Sequence, residues 1–303
     1  MMKTCLVTGG SGFIGYNLVQ RLLQDNWNVL ITGKMGEQAW RLPSGDKSPI
    51  HIGYDFSNLR YFDTSKIAVL FHQAAITDTT VTDKEEMYKV NLWNSMKLFE
   101  DARKHGIKQI VYASSCATYG DVEPPFKEDG PCHPLNVYGE SKYLLDQEAM
   151  QWGKDNHVNI VGLRYSNVYG RGESHKGKMT CILTQVGTQM LTGRPKLFKW
   201  GEQKRDFVYV KDVIEYNLAA AKYNGQGVFN AGSGVATTFN EVVDIFNDYL
   251  GIKREPIYID NPYQTAYQSH TVCDMSKTRD LLGVSSTWTI KDAIQDYFKP
   301  IVV

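Results

Sequence analysis

The chain has 303 residues, 42% hydrophobic and 22% charged, enough for one large α/β domain with a smaller appendage or for two domains. Lys plus Arg and Asp plus Glu number 33 each, so no global field draws in nucleic acid or an anionic membrane, and an anionic ligand needs a local site. Cys5, Cys116, Cys132, Cys181 and Cys273 show no CxxC spacing and read as free thiols; with no signal-type segment and no bilayer-length apolar run, a cytoplasmic protein is expected.

From residue 3 to about 165, short β-branched runs alternate with longer amphipathic ones. The pattern predicts strands at 3–8, 28–32, 50–54, 67–72, 109–114 and 159–164, and helices at 13–24, 84–104 and 137–154. Repeated βα units with right-handed crossovers define the fold class as α/β, a doubly wound parallel Rossmann sheet with its ligand crevice at the carboxyl ends of the strands. Beyond 165 the rhythm loosens into a helix at 181–191, short β-like pieces and late helices at 240–250 and 290–298. Residues 1–165 are therefore expected to form the dinucleotide-binding domain. Residues 166–303 are expected to form mainly a smaller C-terminal α/β substrate lobe, partly interleaved with the first and covering the crevice.

Thr8-Gly9-Gly10-Ser11-Gly12-Phe13-Ile14-Gly15 joins the first strand to the first helix. Its glycines let the backbone turn sharply and approach a pyrophosphate, whose charge meets free N–H groups and the positive end of the helix. Gly9, Gly12, Phe13, Ile14 and Gly15 are the first candidate cofactor contacts. An NAD-selective site ends its second strand in Asp or Glu, to hold the ribose 2′-hydroxyl. Here Ile31-Thr32-Gly33-Lys34 offers no such carboxylate, so Gly33 and Lys34 favour NADP, with NAD as the alternative. The small residues after the fourth strand add Gln73, Ala74 and Ala75, and Asn91 on the next helix is a further candidate. His72 reads as a packed core histidine.

Tyr138 and Lys142 are four apart on one predicted helix, hence on one face. A phenol is a poor base near neutrality, but a neighbouring ammonium and a cationic nicotinamide both favour its phenolate. Ser115, at the end of the fifth strand, can hydrogen-bond the substrate oxygen that Tyr138 deprotonates. The set implies hydride transfer between a carbinol carbon and nicotinamide.

These segments together resemble the extended short-chain dehydrogenase/reductase superfamily of nucleotide-sugar epimerases and dehydratases. Within it, residues 164–170, 174–179 and 204–210 are most similar to the ADP-L-glycero-D-manno-heptose 6-epimerase family, with His175-Lys176-Gly177 the most discriminating element. The resemblance implies a nucleotide-diphosphate sugar as substrate and a homo-oligomer. It also implies Tyr138 and Lys176 as acid/base groups on opposite sides of one sugar carbon, with Ser115 and Lys142 completing the catalytic set. Asn167 would hold substrate and Val168 would lie near the nicotinamide. Phe198 to Gly201 with Arg205 would line the nucleotide diphosphate, a role suited to a guanidinium, and Tyr267 would close the pocket. Lys178 and Gln185 depart from the family pattern, which has a small serine and a substrate-contacting histidine there; both are expected to face the sugar pocket.

A nucleotide-sugar 4-epimerase would use Ser115, Tyr138 and Lys142 but has no need of Lys176. A 4,6-dehydratase needs an acidic pair after the serine, where Cys116-Ala117 stands. A non-catalytic NADP-sensing Rossmann protein would have no reason to space Tyr138 and Lys142 in this way.

Overall fold

The computed structural model describes residues 2–33, 42, 48–53, 64–262 and 268–298. Strand β1 (Thr4–Thr8), helix α1 (Phe13–Gln24), β2 (Asn28–Thr32), β3 (Ile50–His51) and β4 (Ile67–His72) come first. They are followed by α2 (Lys84–Tyr88), α3 (Asn94–Lys104), β5 (Gln109–Ser115), α4 (Val137–Asp155) and β6 (Asn159–Tyr165). The remainder contains β7 (Asn167–Tyr169), α5 (Ile182–Thr192), β8 (Lys196–Phe198), β9 (Lys204–Tyr209), α6 (Val210–Ala220) and β10 (Gln226–Ala231). The last elements are β11 (Ala236–Thr238), α7 (Phe239–Leu250), β12 (Ile257–Ile259), α8 (Ser276–Leu282) and α9 (Ile290–Tyr297).

Among the described residues, seven strands form one sheet in the order β10-β6-β5-β4-β1-β2-β3. Every neighbouring pair is parallel. The order runs outward both ways from the β1/β4 junction, which makes that junction the switch point where a crevice opens. Helices cover both faces, so the strands are apolar on both. Cys5 and Val7 pack with Leu18, Val19 and Leu22 of α1 and Val213 and Tyr216 of α6. Leu6 faces the other way, in a cluster with Phe99 of α3 and Leu145 and Ala149 of α4. The fold is thus the doubly wound α/β arrangement. A further core joins Leu183 and Val186 of α5, Phe207 of β9, Val243 and Phe246 of α7 and Ile294 of α9.

The differences from the sequence pattern are local. The helix expected over 84–104 is broken by a π turn at Lys89–Trp93, where Asn91 points inward. The third strand is confined to Ile50–His51, and Tyr54 lies outside the described residues. Strand β10 and helices α6 and α8 have no counterpart in the expectation; β10 pairs along its whole length with β6, from Gln226 beside Ile160 to Ala231 beside Tyr165. Among the described residues, no helix is long and apolar enough to cross a membrane.

Candidate active site

The loop after β1 turns at Gly9, whose φ of +65° lies in the region that favours glycine. A β-carbon there would stand 2.8 Å from the Ala74 amide nitrogen, and one on Gly15 would stand 2.1 Å from the Gly9 carbonyl oxygen. The glycines thus bring the loop against the end of β4 and the helix against the loop. Helix α1 begins at Gly12 with no side-chain cap and no acid in its first turn, leaving its positive end open to an anion. A cradle that side chains would fill, beneath an uncapped helix start that begins with Phe13 and Ile14, fits a dinucleotide pyrophosphate. Gly33, at φ +127°, ends β2 beside this loop, and its carbonyl accepts a hydrogen bond from His51 Nε2 at 3.0 Å. Lys34 lies outside the described residues.

A buried relay holds the cradle together. The Ala74 amide donates to Thr8 Oγ1 (3.2 Å), which lies 2.7 Å from His72 Nδ1; His72 Nε2 lies 2.9 Å from Ser95 Oγ, which donates to the Asn91 carbonyl (2.9 Å). With the Ser95 hydrogen used on Asn91, His72 donates through Nε2 and accepts through Nδ1 from Thr8. Burial, with the charge of Lys142 in second place, pushes the imidazole down to about 3, which keeps it neutral. Asn91 is fully buried, accepting from the Ile76 amide and donating to the Ile76 carbonyl, both at 2.9 Å. It also reaches Ser141 on α4. Its amide is spent on protein partners, so it shapes the segment after Gln73, Ala74 and Ala75 and does not itself reach toward a ligand.

At the end of β5 the pleat separates two serines. Ser114 turns into the core and donates to Asp146, while Ser115 caps the following turn and hydrogen-bonds Tyr138. Tyr138 sits in the first turn of α4, whose start is set by Asn136 accepting from the Gly139 amide. Burial raises the phenol above its ordinary value, and it is the Ser115 hydrogen bond that opposes this. The Lys142 ammonium is committed to the strand beneath α4. It is 1% exposed and donates to the Ala113 carbonyl at 2.8 Å, and burial pushes it down to about 8.

Lys176 lies in a tight helical turn, Ser174–Met179, distorted at Gly177. Its ammonium stands 5.9 Å from the centre of the Phe13 ring, on the first residue of α1. Asn17 of the same helix donates to the carbonyls of Phe13 and Arg171, each at 2.9 Å, so the Lys176 loop is moored to the cofactor helix. Gln185 uses its amide hydrogens on the Thr180 and Lys178 carbonyls of that loop, at 2.6 and 3.2 Å, and the Lys178 side chain is exposed. The loop carbonyls thus claim the Gln185 amide hydrogens.

Asn167 donates to the Asp206 carbonyl and to Thr271 Oγ1, and Val168 packs between the sheet and lobe cores. Arg205 is buried with its guanidinium over the Phe239 ring, and it donates to the Lys204 carbonyl at 2.9 Å. Phe198 closes β8, accepting through its carbonyl from Gly201. Tyr267 lies outside the described residues. Three groupings therefore form: the glycine cradle with Gln73 and Ala74, the Ser115–Tyr138 pair with Lys142 behind it, and Lys176 against Phe13. Sequence reasoning assigned no role to Thr8, His72, Asn17 and Glu173: the Thr8–His72 and Asn17–Arg171 contacts join residues far apart in the chain, and the Glu173 partners are 3 to 11 residues away but share no helix or strand with it.

Residues 5–232 match the NAD dependent epimerase/dehydratase family. The chain is 34% identical over 290 residues to the ADP-L-glycero-D-manno-heptose-6-epimerase of Brachyspira hyodysenteriae, covering 90% of each. The crystal structure of the Helicobacter pylori ADP-L-glycero-D-manno-heptose-6-epimerase is similar with a TM-score of 0.85 at 33% identity, over 98% of this chain and 95% of that one. The Thermus thermophilus UDP-glucose 4-epimerase in complex with NAD is similar with a TM-score of 0.83 at 26% identity, over 96% of each.

Proposed function

The chain belongs to the NAD-dependent epimerase/dehydratase family, and from that premise we propose that it inverts one carbinol carbon of a nucleotide-diphosphate sugar, an ADP-glycero-manno-heptose at carbon 6. The observation that carries this reading is the position of Lys176. A second proton-transfer group is moored to α1 by a loop of its own, apart from the Ser115–Tyr138 pair on β5 and α4. A nicotinamide held by the glycine cradle would supply a reversible two-electron acceptor. Inversion at an unactivated carbinol needs oxidation to a ketone, rotation of that ketone and reduction on its other face, and each orientation needs its own proton partner. Ser115 orients the substrate hydroxyl, Tyr138 takes or returns its proton in one orientation, and Lys176 does so in the other. Lys142 supports the nicotinamide ribose. Asn167, Phe198 and Arg205 hold the rest of the substrate.

NADP is the cofactor we favour over NAD, since the end of β2 carries Gly33 with no carboxylate to repel a 2′-phosphate. Equilibrium binding to the unmodified enzyme tests this, because an aspartate at φ +127° would strain the turn for reasons unrelated to the cofactor. A reducing, cytoplasmic setting and a homo-oligomer belong to the same proposal; the five cysteines are all free thiols.

The deciding experiment assays epimerisation of ADP-glycero-manno-heptose, UDP-glucose and UDP-N-acetylglucosamine. Tyr138→Phe and Lys176→Met should each lower the rate by roughly 10²–10⁴-fold while cofactor stays bound. Full activity of Lys176→Met would move the assignment to a 4-epimerase, and cofactor binding without any turnover would favour a sensing protein.

A further inference from the structure

Glu173 lies three residues before Lys176 and is 1% exposed. Among the described residues no ion pair engages it, and a buried carboxylate without a cation is unfavourable unless hydrogen bonds replace its water. Three do so. Glu173 Oε1 accepts from the Gly170 amide at 2.9 Å and from Thr184 Oγ1 at 2.6 Å, and Oε2 accepts from the Cys181 amide at 2.8 Å. All three neighbours donate, so the ionised form is the one this surrounding fits. Burial pushes the carboxyl up; the three hydrogen bonds and the charge of Lys176 oppose that rise.

The placement of the two oxygens matters more than their number. Gly170 is where the chain leaves β7, and Cys181 is the residue that starts α5. One carboxylate therefore clasps both ends of the segment that carries Lys176. Between them the backbone passes Gly172 and Gly177 at positive φ, and Asn17 and Gln185 hold its carbonyls from outside while Glu173 holds its two ends. The clasp is in turn fixed to the C-terminal helix. The Thr184 hydrogen goes to Glu173, so the Tyr297 hydroxyl, 2.8 Å away on α9, is the donor to Thr184.

We propose that Glu173 is the positioning residue for Lys176: its carboxylate closes the 170–181 loop over α1 and holds the ammonium against the cofactor loop. The proposal rests on Lys176 acting as an acid/base group. A packing role alone would affect stability; a positioning role affects only the steps that use Lys176.

The test is a double-mutant cycle on the full-length enzyme with its cofactor, using Glu173→Gln and Lys176→Met and reading kcat, KM for the nucleotide sugar, retained cofactor and Tm. Glutamine keeps the shape but presents a donor to an amide N–H. We expect Glu173→Gln to lower kcat by about tenfold to a hundredfold, as a displacement of about 1 Å would, with KM changed less than about twofold. In the Lys176→Met background the same substitution should add nothing. Multiplying losses, or an unchanged kcat in Glu173→Gln beside an impaired Lys176→Met, would overturn the proposal. Full activity of Lys176→Met would instead remove the two-base reading on which it rests, and Glu173 would fall with it. If Glu173→Gln does not fold, Thr184→Val removes a single hydrogen bond from the clasp. It should lower kcat about threefold, at about 0.6 kcal/mol, and again add nothing to Lys176→Met. A Thr184→Val loss that persists in that background refutes the clasp.

Discussion

Replacing Lys142 by methionine should make the cofactor-free protein more stable at pH 7 while removing its activity. The ammonium is buried, and desolvation lowers it from 10.5 to about 8, against the pull of Asp146. Below pH 8 both folded and unfolded chains carry the charge, so the folded state bears the whole penalty. Between pH 8 and 10.5 the unfolded chain binds more protons than the folded one, and stability rises with pH through that window. The drop corresponds to about 3 kcal/mol. Methionine removes that penalty but leaves the Ala113 carbonyl without its 2.8 Å donor, returning about 1 kcal/mol. The net gain is about 2 kcal/mol, or roughly 4 °C in Tm for a chain of this size. The assay is thermal and urea unfolding of both proteins at pH 7, 9 and 10.5, reading the difference so that unaffected groups cancel. The gap should shrink steadily toward pH 10.5, and the variant should bind cofactor weakly. A variant less stable than the parent at pH 7, or a gap that does not change with pH, would refute the reasoning.

Gly15→Ala should weaken cofactor binding by roughly 10–100-fold, since its β-carbon at 2.1 Å from the Gly9 oxygen forces helix and loop apart at about 1–3 kcal/mol. Gly193→Ala, which meets nothing within 4 Å, is the control in the same calorimetric titration; equal affinities for the two variants would contradict the packing argument. His72 contributes stability that is full above its unfolded value of 6.5 and is lost as pH falls through about 3, a difference of about 5 kcal/mol. His72→Gln should therefore flatten the acid limb of a urea-midpoint profile between pH 6.5 and 3, and an unchanged limb would show that the relay does not keep the imidazole neutral.

What was legible in the sequence was written in contiguous residues. Thr8 to Gly15 shows the end of a strand, a turn that only glycines permit and the start of a helix, all within one βα unit. Tyr138 and Lys142, four apart, share a helix face whatever that helix packs on. Hydrophobic period alone separates β1, β2, β4, β5 and β6 from the helices between them, because strands buried on both faces read as apolar runs.

What the tertiary structure alone decided depends on which groups the fold brings together in space. Strand β10, Gln-Gly-Val-Phe-Asn-Ala, has little strand character of its own; it exists because β6, more than sixty residues earlier, leaves an edge for it to complete. The π turn at Lys89–Trp93 turns Asn91 onto the Ile76 backbone, a demand set by the loop after β4 and not by the helix. The hydrogen bond of the Lys142 ammonium to the Ala113 carbonyl follows from which carbonyl of β5 ends beneath α4. Glu173 is one more acidic residue in a glycine-rich loop until the fold brings Gly170, Cys181 and Thr184 around its two oxygens. Local propensity and period are properties of neighbours in the chain; the satisfaction of buried charge and backbone is a property of neighbours in space.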